Sequence, residues 1–444
     1  MFGLMVVAMV AFAGTAFAAG EGIAPEAVTG FKPEGTATDA APVITKRMLV
    51  PEGLDIPSGL DPFIFEIAPL GVEGGKDAEE KNHVVPKTDT PTLGTRSSGT
   101  PVLGGKGTIS ITPSGATSAS IANNKDGTND EFRYSDNLSD PILSNTNYIH
   151  AGLYIYSVTE VIPDVSDREQ GITYSEAVYK MRVYVENTAS GGLAVKLVTF
   201  HLITDDAGDP DTSETKVDKV IFRNTYNAST EFEISKSVAG AYADKTKRFE
   251  YTLKLIKAPG IPLGANGEAP EYKGKIHVYN AVSGEYEPKA GTGTEFAFKA
   301  DGSTETSFNL AHDEMLLIDP IDVGTKYVLT EVKNTNYTAS AVVSDGGGTI
   351  GTVVTTSDAN NAVIGADGTG NNYSRDQLKA PIVLTQRGAT DDDINKAEWT
   401  NTYADPPTPT GIFMDNLPFI IMIVLAVTGF TGYIVMKRRS RRTE

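Results

Sequence analysis

Gly152-Leu153-Tyr154-Ile155-Tyr156-Ser157-Val158-Thr159-Glu160 is rich in β-branched and aromatic residues, the types that fit a pleated, half-buried surface. Side chains alternate across a strand, so Tyr154, Tyr156, Val158 and Glu160 share one face. The phrase returns as Gly324-Thr325-Lys326-Tyr327-Val328-Leu329-Thr330-Glu331, where Tyr327, Leu329 and Glu331 share a face. An apolar strand face that ends on a carboxylate, twice, marks an internal repeat.

Two further phrases flank this one in the same order. Upstream, Val43-Ile44-Thr45-Lys46 is matched by Glu233-Ile234-Ser235-Lys236. Each is followed by an aromatic strand, Phe63-Ile64-Phe65-Glu66-Ile67 in the first copy and Phe249-Glu250-Tyr251-Thr252-Leu253 in the second. Downstream, Phe222-Arg223-Asn224-Thr225-Tyr226 is matched by Trp399-Thr400-Asn401-Thr402-Tyr403. Each copy has the length of a domain, so the spacing predicts two tandem domains, 41–227 and 232–404, split near residues 228–231.

Between the phrases the chain is rich in Thr, Val, Tyr and Gly, and short alternating runs are broken by turn residues. No long amphipathic helix is evident, and antiparallel strands at this spacing predict an all-β protein built of β-sandwiches. The Gly/Ser/Thr-rich residues 88–130 read as an insertion of long surface loops or a small extra hairpin. Residues 19–40, rich in Ala, Gly and Pro, read as a disordered N-terminal segment.

Composition removes whole classes of function. The 444 residues include no cysteine, which excludes a disulfide scaffold, a zinc ribbon, an iron–sulfur protein and a thiol enzyme. The formal charge of −19 would repel nucleic-acid phosphates. His83, His150, His201, His277 and His312 form no metal-ligand spacing. Asp205 to Asp211 and Asp391-Asp392-Asp393 lack the calcium-loop pattern with Gly at the sixth position, and read as solvated turns. No metal or cofactor is expected.

The alternation rule places six polar residues on apolar faces. Lys46 lies with Ile44 and Met48, and Lys236 with Phe232, Ile234 and Val238. Glu160 and Glu331 lie as described above; Asn224 follows Val220 and Phe222, and Asn401 follows Ala397 and Trp399. An isolated ammonium or carboxylate costs several kcal/mol to bury, so each needs a compensating partner. An ion pair is one answer. A second is covalent: burial lowers a lysine pKa and raises a glutamate pKa, favouring a neutral amine beside a protonated acid. Such an amine can attack the Asn carbonyl while the Glu shuttles protons, and ammonia leaves an isopeptide bond behind.

Both ends of the chain read as addresses. Residues 1–18 are uncharged and run to Ala16-Phe17-Ala18, the small-x-small form that a signal peptidase accepts, although the first basic residue is Lys32. Leu417 to Met436 is an apolar run long enough to span a bilayer, and Lys437, Arg438, Arg439, Arg441 and Arg442 follow in the basic tail 437–444. Before it, within 406–411, lies Pro406-Pro407-Thr408-Pro409-Thr410-Gly411, an extended and accessible peptide. Residues 405–444 therefore resemble a Gram-positive cell-wall sorting signal, with Thr408 where Leu is usual and Pro409 and Thr410 adjacent. An uncleaved single-pass anchor is the plain alternative.

With these phrases in hand, the chain resembles the sortase-assembled backbone pilins of Gram-positive bacteria, whose streptococcal-type isopeptide-linkage domains are related to Ig-like, collagen-adhesin B-type sandwiches. The resemblance covers about residues 41–403. It implies crosslinks from Lys46 to Asn224 and from Lys236 to Asn401, with Glu160 and Glu331 catalytic, and sortase cleavage between Thr410 and Gly411. It implies a second, outward lysine that accepts the sortase acyl group; Lys219 is the first choice, with Lys216 and Lys87 as competitors. The implied function is a structural pilus subunit, not a turnover enzyme, secreted to the cell wall. Its implied partners are sortase, neighbouring pilin subunits and peptidoglycan. The alternative is a wall-anchored monomeric adhesin that binds a host or matrix ligand through the 88–130 insertion.

Overall fold

A computed structural model describes residues 42–70, 84–94, 102–127, 129–143, 148–264, 266–356, 359–390, 393–404 and 422. The described residues form an all-β architecture of four sheets, two drawn from each repeat.

In the first repeat, Ile44–Pro51, here the lysine strand, sits in a five-stranded sheet. It is hydrogen-bonded antiparallel to Asn129–Leu138 and parallel to Val220–Tyr226, the asparagine strand. Parallel neighbours need a long crossover, and here everything between the first and last strands of the repeat serves as that crossover. The facing six-stranded sheet runs in the order Lys216–Val217, Leu193–Thr204, Val178–Asn187, Gly152–Glu160, Phe63–Pro69 and Gly107–Ile111. Gly152–Glu160 is the glutamate strand.

The second repeat copies this arrangement. Its lysine strand, Ser229–Ala239, lies parallel to its asparagine strand, Asn395–Tyr403, in a nine-stranded sheet. Its glutamate strand, Lys326–Glu331, pairs with Phe249–Ile256 in a five-stranded sheet. Asn227 and Ala228 alone separate the strands of one repeat from those of the next.

Registers match as closely as topologies. Met48 is opposite Asn224 and Val238 is opposite Asn401; Phe65 is opposite Glu160 and Tyr251 is opposite Glu331. Each lysine is therefore a diagonal neighbour of its asparagine on one sheet, with the glutamate brought over from the facing sheet.

One hydrophobic cluster joins each pair of sheets. The first takes Ile44, Met48 and Phe222 from one sheet and Phe65, Ile67, Tyr154, Tyr156 and Val158 from the other. The second sets Ile234, Ala397 and Trp399 against Tyr251, Leu253, Tyr327 and Leu329. Each Val, Leu, Ile, Phe or Met among them contributes about 1.5–3 kcal/mol on burial, and the inward faces are those the alternation rule marks.

Residues 88–130, expected as surface loops or a small hairpin, are instead partly woven into the sheets. Gly107–Ile111 pairs along Phe63–Pro69 as an edge strand, with Ile111 buried. Ile121, on the short helix Ser118–Ile121, also enters the core. The Gly-Thr-Ile-Ser-Ile strand carries too little apolar weight to stand out from its Ser/Thr-rich surroundings. The expected signal peptide (1–18), the 19–40 segment and the expected sorting signal (405–444), including Thr410 and Gly411 and apart from the single residue Met422, lie outside the described residues. Among the described residues no helix is long and apolar enough to cross a membrane.

Candidate functional site

The first repeat gathers Lys46, Glu160 and Asn224 in the core between its sheets. Lys46 and Asn224 are fully buried and Glu160 nearly so. Lys46 Nζ donates to Glu160 Oε2 at 2.6 Å, and Asn224 Nδ2 donates to Glu160 Oε1 at 2.7 Å. Nζ also lies 4.5 Å from the ring centroid of Phe63 and 5.9 Å from that of Phe65. Asn224 Oδ1 accepts from the Ser175 backbone N–H at 2.7 Å. The amide is thus oriented at both ends: its nitrogen faces the acid and its oxygen faces a donor.

The second repeat gathers Lys236, Glu331 and Asn401 in the corresponding place, all three buried. Lys236 Nζ donates to Glu331 Oε2 at 2.9 Å and lies 4.3 Å from the Phe249 centroid. Asn401 Nδ2 donates to Glu331 Oε1. Two details differ. Tyr251 stands where the first repeat has Phe65, and its hydroxyl donates to Glu331 Oε2 at 2.8 Å. Asn401 Oδ1 is buried and has no hydrogen-bond partner among the described residues. Trp399 seals this cluster, edge-on to the Tyr251 ring at 5.6 Å.

Burial pushes the Lys46 ammonium down to about 8, against the opposing pull of Glu160. Lys236 is pushed down to about 8 for the same reason. Burial raises the Glu160 carboxyl, with Lys46 and Asn224 opposing. Burial holds the Tyr251 phenol well above its usual value, so it stays a hydrogen-bond donor to Glu331. Each cluster therefore holds an amine that can shed its proton near neutrality beside a carboxyl group that contacts both that amine and the amide nitrogen. This arrangement can exchange an amide nitrogen for a lysine nitrogen, with each proton moved through one carboxyl group.

The candidate acceptor lysines lie elsewhere. Lys219 is exposed just before the asparagine strand, and Lys87 is exposed on the 3-10 turn Lys87–Asp89. Lys216 is half-buried, opposite His201 at the sheet edge. Among the described residues no three His, Asp or Glu side chains group as metal ligands. Asp205 and Asp211 instead accept main-chain N–H groups of their own turns.

Sequence reasoning missed Ser175 and Asp206. Ser175 Oγ donates to Asp206 Oδ1 at 2.6 Å, and the same carboxylate oxygen accepts the Arg223 N–H at 2.9 Å. Neither residue belongs to a repeated phrase; nothing in the sequence singled out Ser175, and Asp206 lies in the Asp205 to Asp211 stretch read as a solvated turn, whereas its carboxylate binds Ser175 and Arg223. Tyr251 was visible in the aromatic strand, but its hydroxyl contact required the register that sets it opposite Glu331 on the neighbouring strand.

Residues 100–227 match the sequence profile of FctA, the Spy0128-like isopeptide containing domain. Residues 230–372 match a family described as a domain of unknown function. No curated protein matches the chain. Among solved structures, the major pilin from Streptococcus pyogenes is 18% identical, over 82% of this chain and 98% of that one, with a TM-score of 0.29. The major pilin T3.2 from Streptococcus pyogenes is 16% identical over 82% and 97%, with a TM-score of 0.28. The pilus-presented adhesin Spy0125 (Cpa) is 15% identical over 51% of this chain and 36% of its own, with a TM-score of 0.22. The chain is similar to Gram-positive pilins with isopeptide domains.

Proposed function

We propose that the chain is a structural subunit of a Gram-positive pilus, built of two tandem Ig-like sandwich domains, each closed by an autocatalytic Lys–Asn isopeptide bond. The observation that carries this reading is the twice-built contact of one buried carboxyl group with both a lysine amine and an asparagine leaving nitrogen. The Spy0128-like profile over residues 100–227 supports it independently. Neutral Lys46 Nζ attacks Asn224 Cγ, Glu160 carries the amine's proton to Nδ2, and ammonia departs; Lys236, Glu331 and Asn401 do the same. The catalysis is single-turnover and acts on the chain itself.

The test is the intact mass of the chain. The parent should weigh two ammonia molecules less than its sequence requires, and Glu160→Ala and Glu331→Ala should each restore one. An unaltered parent mass would sink the reading.

The lysine values set a pH dependence. Below about pH 8 the amines hold a proton and their lone pairs are occupied; the proton is lost as pH rises through about 8. Never-folded chain, refolded from inclusion bodies, should therefore crosslink faster as pH rises from 6 to 8 and level off above. A rate that falls across that interval would contradict the amine's role as nucleophile.

Assembly is proposed to run through sortase, which cleaves after Thr410 and passes the acyl group to Lys219 of a neighbour. Co-expression with a sortase should give a ladder of covalent multimers that Lys219→Ala abolishes, whereas Lys216→Ala and Lys87→Ala leave it intact. A parent chain that reaches peptidoglycan only as a monomer would favour the adhesin alternative.

A further inference from the structure

We propose that the main-chain N–H of Ser175 is the oxyanion donor of the first cluster, and that the second cluster, which has no such donor among the described residues, closes its bond more slowly. This inference rests on the crosslinking reading above.

The reaction forms a bond from Lys46 Nζ to Asn224 Cγ and breaks the bond from Cγ to Nδ2. In between, Cγ is tetrahedral and the carbonyl π pair sits on Oδ1 as negative charge. The charge collapses back to a carbonyl as Nδ2 leaves with a proton that originated on Nζ and crossed Glu160. Atoms balance with ammonia as the only by-product, and no oxidant or reductant enters. The oxygen that bears the charge is the one the Ser175 N–H already meets at 2.7 Å.

That donor is held in place from several sides. Ser175 is 1% exposed, so water does not compete for its N–H. Its hydroxyl donates to Asp206 Oδ1 and accepts from the Ala177 N–H at 3.1 Å. Asp206 in turn accepts the Arg223 N–H on Oδ1 and Arg223 Nη1 on Oδ2 at 3.1 Å, and its carbonyl accepts the Glu176 N–H. Arg223 immediately precedes Asn224, so one carboxylate ties the donor's segment to the strand that carries the electrophile. Asp206 does not touch the reacting atoms; it is a positioning residue. In the second cluster Asn401 Oδ1 has no partner among the described residues, and the additional donor, the Tyr251 hydroxyl, falls on Glu331. That hydrogen bond steadies the carboxylate, not the developing oxyanion.

A preorganised donor at a developing oxyanion changes rates by about 10²–10³-fold. The experiment uses the full chain made by cell-free translation, quenched in detergent at intervals, with the Lys46–Asn224 and Lys236–Asn401 linked peptides quantified from the same samples. In the unmodified chain the first linkage should accumulate ahead of the second. Incorporating the α-hydroxy analogue of serine at position 175 replaces the N–H by an ester oxygen. It should slow the first linkage by about 10²-fold and leave the second unchanged, in chains whose first sheet pair still resists limited proteolysis. Asp206→Ala should slow the first linkage as well, and Asp206→Asn, which keeps the Oδ1 contacts to the Ser175 hydroxyl and the Arg223 main-chain N–H and loses only the one from Arg223 Nη1, should restore most of it. A first linkage that forms at its original rate in the ester chain overturns the inference while leaving the crosslinking reading intact. Absence of both linkages from the unmodified chain overturns the crosslinking reading and this inference with it.

Discussion

Glu160→Ala is expected to bring the first sheet pair close to unfolding at neutral pH, whereas Lys46→Met, which also prevents the crosslink, leaves it measurably stable. Both variants would lose the proposed covalent closure, which by the chain-entropy argument for a loop of about 180 residues contributes roughly 5 kcal/mol. The alanine variant additionally leaves Lys46 buried without its 2.6 Å partner, and orphaning one member of a buried pair costs about 3–5 kcal/mol. The combined loss is about the size of an ordinary domain's whole stability, about 5–15 kcal/mol. Lys46→Met replaces the ammonium stem by an apolar one of similar reach, among Phe63 and Phe65. Glu160 then keeps the Asn224 hydrogen bond, and burial, no longer opposed by Lys46, raises its carboxyl further.

The two variants should also separate in their response to pH. A buried lysine whose folded pKa lies below its unfolded value binds its proton less tightly when folded. The penalty is therefore complete below the folded value and fades as pH rises toward the usual lysine range. Removing Glu160 takes away the main influence that holds the Lys46 value up, so the window opens at or below about pH 8 and closes near 10.4. Denaturant melts of Glu160→Ala should show stability climbing across that window. Lys46→Met has no titrating amine there, and neither does a crosslinked parent, whose Lys46 nitrogen is an amide. A Glu160→Ala profile as flat as theirs would mean that the lysine reaches solvent and that the buried-charge argument is wrong.

How much of this was written in the sequence depends on the kind of information each step needs. Strict alternation sufficed to put Lys46, Glu160, Asn224 and their counterparts inside, because a strand has only two faces and the apolar neighbours of each residue choose one. The repeat sufficed to group them in threes. The pairing register was not legible: nothing local says that Met48 lies opposite Asn224, since a parallel contact between first and last strands depends on the whole repeat closing. The Ser175 contact was invisible for the same reason, because a main-chain N–H has no residue type to betray it. Gly107–Ile111 was lost to composition; two isoleucines among Gly, Thr and Ser make a strand only when Phe63–Pro69 offers an edge.

Pulled from its two ends, the parent chain should show almost no extension from either sheet pair, whereas Glu331→Ala should release roughly 600 Å from the second, at about 3.5 Å per residue. The reason lies in where the linked residues sit. Force entering the second repeat travels along Ser229–Ala239 only as far as Lys236, and leaves along Asn395–Tyr403 only from Asn401. With those two side chains joined, the load crosses one covalent bond, and the strands between them, the whole hydrophobic core included, carry none of it. Without the bond the load falls on hydrogen bonds between the parallel strands, from Phe232 opposite Asn395 to Ala239 opposite Thr402. These are sheared together, and once they fail nothing holds the intervening chain. Single-molecule force spectroscopy on the parent, Glu331→Ala and the double variant Glu160→Ala, Glu331→Ala should give zero, one and two long steps respectively. The double variant's extra step should be slightly longer than the first, because more residues lie between Lys46 and Asn224 than between Lys236 and Asn401. A parent that yields both long steps would show that force reaches the cores, and a subunit of that kind could not serve as a covalently braced link in a filament.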